Sequence, residues 1–300
     1  MIRLLITGAS GFLGRHILKS ALLTSSYEIH AVSRTPPDQL VSGVTWHQAD
    51  FLVPGAGRDL IEKIAPHHVI HSAWIATPGE YLNSPQNIKW LRASIEMIDA
   101  FGSSGGKRWM GIGTCLEYKA GVTPCEEDKT PIDPNSIYGR CKACCSEALF
   151  TAAQAYRFSA VWARVFLPYG PGDNPRRLIP SLVDALSQGR EFPTSSGTQI
   201  RDFISAEDVG RIVVSLTETS SSGAFNIGTG RGVTVRSVVE RVADHMGKRD
   251  LVRFGDRNLA PGEPECLVAD MRKTNSALPG LRTLQIEDVL KKVIRRDDYH

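Results

Sequence analysis

The chain has 300 residues, 42% of them hydrophobic, with 35 Lys and Arg against 32 Asp and Glu. That length allows one large or two modest domains around a sizeable core, and a formal net charge of +3 is too small to mark a nucleic-acid footprint. With 22% charged residues, 27 Gly and 17 Pro, neither disorder nor a fibrous repeat is indicated, and no apolar run approaches the ~20 residues that span a bilayer. Met1–Ile6 is too short for the apolar region of a signal peptide, and the last residues carry no lipidation signal. A soluble cytoplasmic protein is expected, with neither a nucleic-acid nor a membrane partner.

The apolar runs predict a strand over Arg3–Thr7 and a helix over Phe12–Leu23, then strands at Ile29–Ser33 and Val44–Asp50. Leu60–Ile64 falls on a helix, Val69–Ser72 on a fourth strand and Asn87–Gly102 on a long helix. Trp109–Thr114 is a fifth strand, Ser136–Arg157 a helix and Ser159–Val165 a sixth strand. Strands alternating with helices at this spacing argue for an α/β Rossmann-type, doubly wound parallel sheet covered on both faces. After Val165 the texture changes. Pro168–Pro175 reads as a loop, Arg177–Gln188 as an amphipathic helix, Ala224–Ile227 as one more strand of the main sheet, Val233–Met246 as a helix and Ile286–Arg295 as a last helix. The expected division is interleaved: residues 1–166 plus about 201–227 bind the cofactor, and 167–200 plus about 228–300 form a smaller α+β substrate domain.

Gly8, Gly11 and Gly14 lie between the first strand and the first helix. Gly8 permits the tight turn, Gly11 lets backbone N–H groups approach a pyrophosphate, and Gly14 permits close packing of helix on strand. The helix N-terminus would face the anion with unpaired donors, and the strand–helix context favours a dinucleotide site over a mere tight connection. The second strand ends at Ser33-Arg34, where NAD-binding folds usually place a carboxylate for the ribose hydroxyls. A hydroxyl and a guanidinium would instead bind a 2′-phosphate. A charge-assisted hydrogen bond of roughly 1.5–3 kcal/mol translates to about a 10- to 150-fold preference for NADP(H), with NAD(H) the other candidate. Asp50, after the third strand, is placed to accept from an adenine amino group or to cap a turn.

Tyr138 and Lys142 stand at i and i+4, on one helix face, downstream of a strand ending Gly113-Thr114. Here the chain resembles the extended short-chain dehydrogenase/reductase superfamily. The resemblance rests on Thr7–Gly14, His71-Ser72-Ala73-Trp74, Thr114, Tyr138 with Lys142, Tyr169–Gly172, Arg201–Ile204 and Asn226–Gly230. It implies that Tyr138 is the general acid/base, that Lys142 holds the nicotinamide ribose and lowers the tyrosine pKa, and that Thr114 bonds the substrate oxygen. It also implies that Ser10, Phe12, Leu13, Phe51, Ala73 and Val165 line the cofactor. A unit charge at ~4 Å with an effective dielectric of ~20 is worth roughly 4 kcal/mol, enough to bring Tyr138 from about 10 to near 7.

Members of this superfamily mostly act on nucleotide-diphosphate sugars. Their 4,6-dehydratases carry an acid directly after the Thr, where this chain has Cys115-Leu116, so dehydration is disfavoured. Glu117 lies one position too far along and reads as a capping or solvated carboxylate. The stretch Tyr169–Gly232 is similar to the CDP-abequose and CDP-tyvelose branch. With Ser33-Arg34, the resemblance implies NADPH-dependent reduction of a nucleotide-linked 4-keto-deoxysugar. The alternatives are an NAD-dependent 4-epimerase and a carbonyl reductase or dehydrogenase of a small molecule without a nucleotide; a non-catalytic cofactor sensor is disfavoured because both Tyr138 and Lys142 are present.

On the substrate side the resemblance makes Arg201 the pyrophosphate ligand, the bland reading being an ion pair with Asp202 or Glu207. Tyr169, Glu263 and Trp74 are expected to line the substrate. Leu167 replaces a common Asn, and Ala260 replaces a common Arg before Pro261-Gly262-Glu263, so Arg176, Arg177 or Arg257 would have to compensate. His71 is assigned to packing. The six cysteines, including the C-x-x-C of Cys141 and Cys144, lack a partner pair or zinc-ligand spacing, so packed thiols and no metal are expected. The resemblance also implies a homodimer through the helices at 87–102 and 136–157.

Overall fold

A computed structural model describes residues 1–35, 41–259 and 263–295. In chain order, β1 (Ile2–Thr7), α1 (Phe12–Leu22), β2 (Tyr27–Ser33), β3 (Val44–Gln48), α2 (Ala56–Ile64), β4 (His68–His71), α3 (Gln86–Ser103), β5 (Arg108–Thr114), α4 (Ile137–Tyr156) and β6 (Ser159–Val165) lead off. Then come β7 (Leu167–Tyr169), α5 (Leu178–Ser187), β8 (Phe192–Thr194), β9 (Ile200–Arg201), β10 (Phe203–Ser205), α6 (Ala206–Glu218) and β11 (Gly223–Ile227). The chain ends with β12 (Val233–Thr234), α7 (Val235–His245), β13 (Val252–Phe254), β14 (Cys266–Leu267), α8 (Arg272–Ala277) and α9 (Ile286–Ile294).

Seven strands form one sheet in the order β11-β6-β5-β4-β1-β2-β3, every neighbouring pair parallel. The central strands are largely apolar because helices cover both faces; every residue of β5 is buried. One face packs on α1 and α6 through Ile17, Ala21, Val209, Ile212 and Val213, and the other on α2, α3 and α4 through Ile61, Met97, Phe101 and Leu149. The chain reverses its winding at β1, between β2 and β4, which puts a crevice outside the carboxyl ends of these strands.

A third core gathers α5, α7 and α9 around Leu182, Leu186, Val239, Val242 and Leu290. The strands at 192–194, 200–201, 233–234, 252–254 and 266–267 pair only with one another, over this part of the chain. Besides the short strands, two elements bear on the sequence expectation. Val233–Thr234 is not helical: it pairs antiparallel with Ile200 and Arg201, and the helix starts at Val235, where the Thr234 hydroxyl accepts from Ser237 N–H at 3.1 Å. The unforeseen α6 starts at Ser205, whose hydroxyl accepts from Asp208 N–H at 2.9 Å, with Glu207 and Asp208 favourably placed in the first turn. No described helix is long and apolar enough to cross a membrane.

Candidate active site

A cleft of about 900 Å³ opens along the carboxyl ends of β1, β2, β4 and β5 and extends to Arg201 and Glu263. Its floor at the β1–α1 turn is a backbone cradle. Gly8 takes φ +66°, and a Cβ there would come within 2.8 Å of Ala73 N. A Cβ on Gly14 would meet Gly8 O at 1.9 Å, so helix and strand touch through bare backbone. Gly11 caps α1 without a side-chain hydrogen bond, and the first turn carries no acid, so the leading N–H groups and the positive helix end stay available beside Ser10, Phe12 and Leu13. This cradle, which a Cβ would fill, fits a dinucleotide pyrophosphate.

Ser33, Arg34, Phe51, Ala73 and Val165 line the same cleft. The Ser33 hydroxyl donates to Thr35 O at 2.8 Å, whereas the exposed Arg34 guanidinium has no carboxylate partner among the described residues. Asp50 is not among the lining residues. Its carboxylate accepts from Leu52 N–H at 3.0 Å, the turn-capping alternative.

Thr114, Tyr138 and Lys142 meet where β5 ends against α4, all three lining the cleft. The α4 N-terminus is fixed by Ser136, which accepts from Gly139 N–H at 3.0 Å. Tyr138 hydrogen-bonds with Thr114 and stands edge-on to Tyr81, ring centroids 4.9 Å apart. Lys142 Nζ donates to Ile112 O at 2.7 Å and lies 3.9 Å from the Trp74 ring centroid. Trp74 is anchored in turn by its Nε1, which donates to Asn87 Oδ1 at 2.8 Å.

The expected lowering of Tyr138 toward 7 is not produced by the chain itself. Burial, with Tyr81, Glu117 and Cys115 adding to it, raises Tyr138 above 10, and only the Thr114 hydrogen bond opposes this. Lys142 lies 6.0 Å from the Tyr138 ring centroid and is committed to Ile112 O and Trp74. Burial brings Lys142 itself down to about 8, with Cys145 and Glu117 holding it up, so it remains largely cationic at neutral pH.

At the far end of the cleft, Arg201 is buried and pairs with neither Asp202 nor Glu207. Its Nη2 donates to Glu263 Oε1 at 2.7 Å and its Nη1 to Ile200 O at 2.8 Å. Asp202 instead accepts from Thr229, Gly230 and Ala269 N–H groups, and Glu207 pairs with Lys292. Arg177 lines the cleft beside Asp173, its Nε 3.4 Å from Oδ1. Burial raises Asp173 to about 6. Arg176 points to Glu80 on the exterior, and neither it nor Arg257 lines the cleft. Tyr169 is also outside the lining: it is buried in the third core, edge-on to Phe203. The departure at Ala260-Pro261-Gly262 lies outside the described residues.

His71 bridges Thr7 Oγ1 (2.8 Å) and Ser94 Oγ (2.9 Å) in the core, and burial lowers it to about 3. All six cysteines are free, and no cluster of metal-ligating side chains occurs among the described residues. Tyr81, Asn87 and Asp173 carry no motif and were not anticipated, whereas Arg177, one of the three arginines named as able to compensate, does line the cleft. Glu117 had a readable signal, the Thr114-x-x-Glu117 spacing of a capping box.

A parallel sheet of this order, with a glycine cradle at its first turn and Thr, Tyr and Lys converging over its carboxyl edge, defines a Rossmann-type dinucleotide-dependent enzyme. The chain belongs to the NAD dependent epimerase/dehydratase family, whose pattern matches residues 4–228, and thus to the extended short-chain dehydrogenases/reductases. It is 27% identical over 312 residues to the UDP-glucose 4-epimerase of Bacillus subtilis (strain 168), covering 92% of this chain and 91% of that one. It is 24% identical over 251 residues to the dTDP-6-deoxy-L-talose 4-dehydrogenase (NAD(+)) of Aggregatibacter actinomycetemcomitans, covering 81% and 91%. The solved structure of MoeE5 in complex with UDP-glucuronic acid and NAD matches with a TM-score of 0.82 at 28% identity, over 98% of both chains.

Proposed function

We propose that the protein reduces the 4-keto group of a nucleotide-diphosphate 4-keto-deoxysugar with NADPH. The observation that carries this reading is Arg34 at the end of β2, exposed, lining the cleft and without a carboxylate among the described residues. A 2′-phosphate is the ligand that a guanidinium at this position selects where no carboxylate takes it. Nucleotide-sugar chemistry at C4 is supported by the relatives, whose names place them on UDP-glucose and dTDP-6-deoxy-L-talose.

The bound nicotinamide would supply the hydride. Tyr138 gives its proton to the carbonyl oxygen, and the Thr114 hydroxyl donates to the same oxygen as charge develops on it. The raised pKa of Tyr138 suits this direction, because it holds the phenol protonated before the transfer. Lys142 supplies a cation between Trp74 and the ribose end of the cradle. Arg201 and Arg177, which both line the cleft, would bind the substrate diphosphate. Water elimination finds no free carboxyl after Thr114, since Glu117 is wholly buried on Arg164.

The decisive experiment follows the absorbance of reduced nicotinamide with a panel of nucleotide-linked 4-keto-6-deoxy sugars. A stoichiometric loss of NADPH with one member is expected. Copurifying NAD with C4 interconversion and no net redox change would instead establish the second reading, a 4-epimerase, which the Bacillus subtilis relative favours. Tyr138→Phe should lower turnover about 10²- to 10⁴-fold with cofactor affinity unchanged. A homodimer would join through α3 and α4, where Ile88, Ile95 and Ile137 are exposed; light scattering near the monomer mass of 32.8 kDa would exclude it.

A further inference from the structure

Directly behind Thr114 the chain makes a single turn of 3₁₀-helix, Cys115–Glu117, and drives a carboxylate into the core. Glu117 is 0% exposed. Every group bonded to it is an N–H donor: Thr114 N–H at 2.8 Å, Trp162 Nε1 at 3.0 Å to both oxygens, and Arg164 Nε at 3.0 Å. A protonated carboxyl would have to give up one of these donors, so the site is built for the anion. The backbone is shaped around it: a Cβ on Gly113 would come within 2.5 Å of Glu117 Oε1 and 2.2 Å of Trp162 Nε1. Arg164 is fixed on its other side by the Tyr118 hydroxyl at 3.2 Å and Glu127 O at 3.3 Å, and the Tyr118 hydroxyl donates to Asn226 Oδ1 at 2.6 Å.

A buried ion pair of this kind is a weak source of stability, because apolar residues of similar volume commonly do as well. What it fixes is geometry at the reacting end of the cleft. The Thr114 N–H is bound to Glu117, and Thr114 Oγ1 accepts from Leu116 N–H at 3.2 Å. With an acceptor site of the hydroxyl filled from behind, its proton is left to point forward, toward Tyr138 and the cleft.

We propose that Glu117 is a positioning residue of the reaction: clamped by Arg164 and Trp162, its carboxylate holds Thr114 so that the threonine hydroxyl donates toward the substrate oxygen beside Tyr138. The inference rests on the reading of Thr114, Tyr138 and Lys142 as the catalytic set. The anion also sets the electrostatic background. Tyr138 is faced by Tyr81, Cys115 and Glu117, all of which raise it, with Lys142 6.0 Å from its ring centroid. Lys142 is faced by Cys145 and Glu117, which raise it, and its charge pushes down the neighbouring His71. Burial raises Glu117 above the usual carboxylate range, and Arg164 is the charged partner that opposes this and favours the anion. Removing the Glu117 charge therefore lowers the pKa of both Tyr138 and Lys142.

The test is the paired variant Glu117→Leu/Arg164→Leu, which leaves no orphan charge, alongside Glu117→Gln as the second probe should the pair fail to fold. For a folded variant we expect reduced-nicotinamide binding, read by fluorescence, to match the parent. We expect kcat to fall about 10- to 100-fold with KM nearly unchanged. Reduction needs protonated Tyr138, so activity is lost as pH rises through its pKa, and in Glu117→Gln, which removes the anion and keeps Arg164, this alkaline limb should move to lower pH. In a Thr114→Val background the paired variant should cost nothing further. A folded variant with the parental kcat and pH profile, or one whose full loss persists in the Thr114→Val background, overturns the proposal. Parental turnover by Tyr138→Phe would instead remove the underlying catalytic assignment.

Discussion

Arg34 and Gly14 bear on the proposed cofactor in different ways, one by charge and one by the absence of a side chain. On the NADPH reading, Arg34→Ala removes a charge-assisted contact to the 2′-phosphate, so KM for NADPH should rise about 10- to 150-fold while that for NADH stays put; steady-state kinetics with the two cofactors decides it. Gly14→Ala places a methyl 1.9 Å from Gly8 O, and neither neighbour is a flexible side chain. The turn must open, which should cost about 1–3 kcal/mol and abolish cofactor binding, read by thermal melting with and without NADP. Both residues are legible in the sequence, because a glycine spacing and a strand-end residue are local features. So is the i, i+4 relation of Tyr138 and Lys142. Arg201 is legible only as a residue: its partner Glu263 stands 62 positions away and is set by how β9, β12 and β14 assemble. Asp50 shows the converse, a residue in the expected place whose carboxylate is taken by its own turn.

At the level of elements, α6 shows how a helix is tied into the main-sheet core. One side packs on α1, with Gly210 so close to the α1 backbone that a Cβ would come within 2.5 Å of His16 O. Its start depends on Ser205, which accepts from Asp208 N–H and donates to Asp208 Oδ2 at 2.9 Å. Ser205→Ala should cost about 1–2 kcal/mol, seen as a lower urea midpoint with unchanged slope. The long strands and helices of the main sheet declare themselves because their apolar runs are long enough to show a period. The two- and three-residue strands from β7 to β14, apart from β11, are too short to show one and form only where partners distant in sequence arrive. Thr234 illustrates this: a helix N-cap by its side chain, it is a strand residue by its pairing with Ile200.

For the whole molecule, buried and half-buried histidines bear on stability toward acid. Burial lowers His16 and His68 from 6.5 to about 4, and His71 to about 3. A depressed folded pKa means the unfolded chain binds protons first. Their contribution is complete above 6.5 and is withdrawn as pH falls toward 4 and then 3, on the order of 3 kcal/mol for His16 alone. Asp173, raised to about 6, works in the opposite sense, as do Glu117, Glu127 and Asp202, whose carboxyls burial also raises, so they offset part of the histidine loss. The melting temperature should fall between pH 6.5 and 4; a flat profile in His16→Gln as well as in the parent would contradict the histidine contribution. The interleaved sheet order has a consequence for synthesis. β11 covers the edge of β6, yet it leaves the ribosome only after α5, α6 and four short strands have been made. Until then the nascent sheet presents β6 as an unpaired, apolar strand edge. A message truncated anywhere between Val165 and Gly223 would yield a sticky fragment prone to self-association or chaperone capture, rather than a smaller dinucleotide-binding protein.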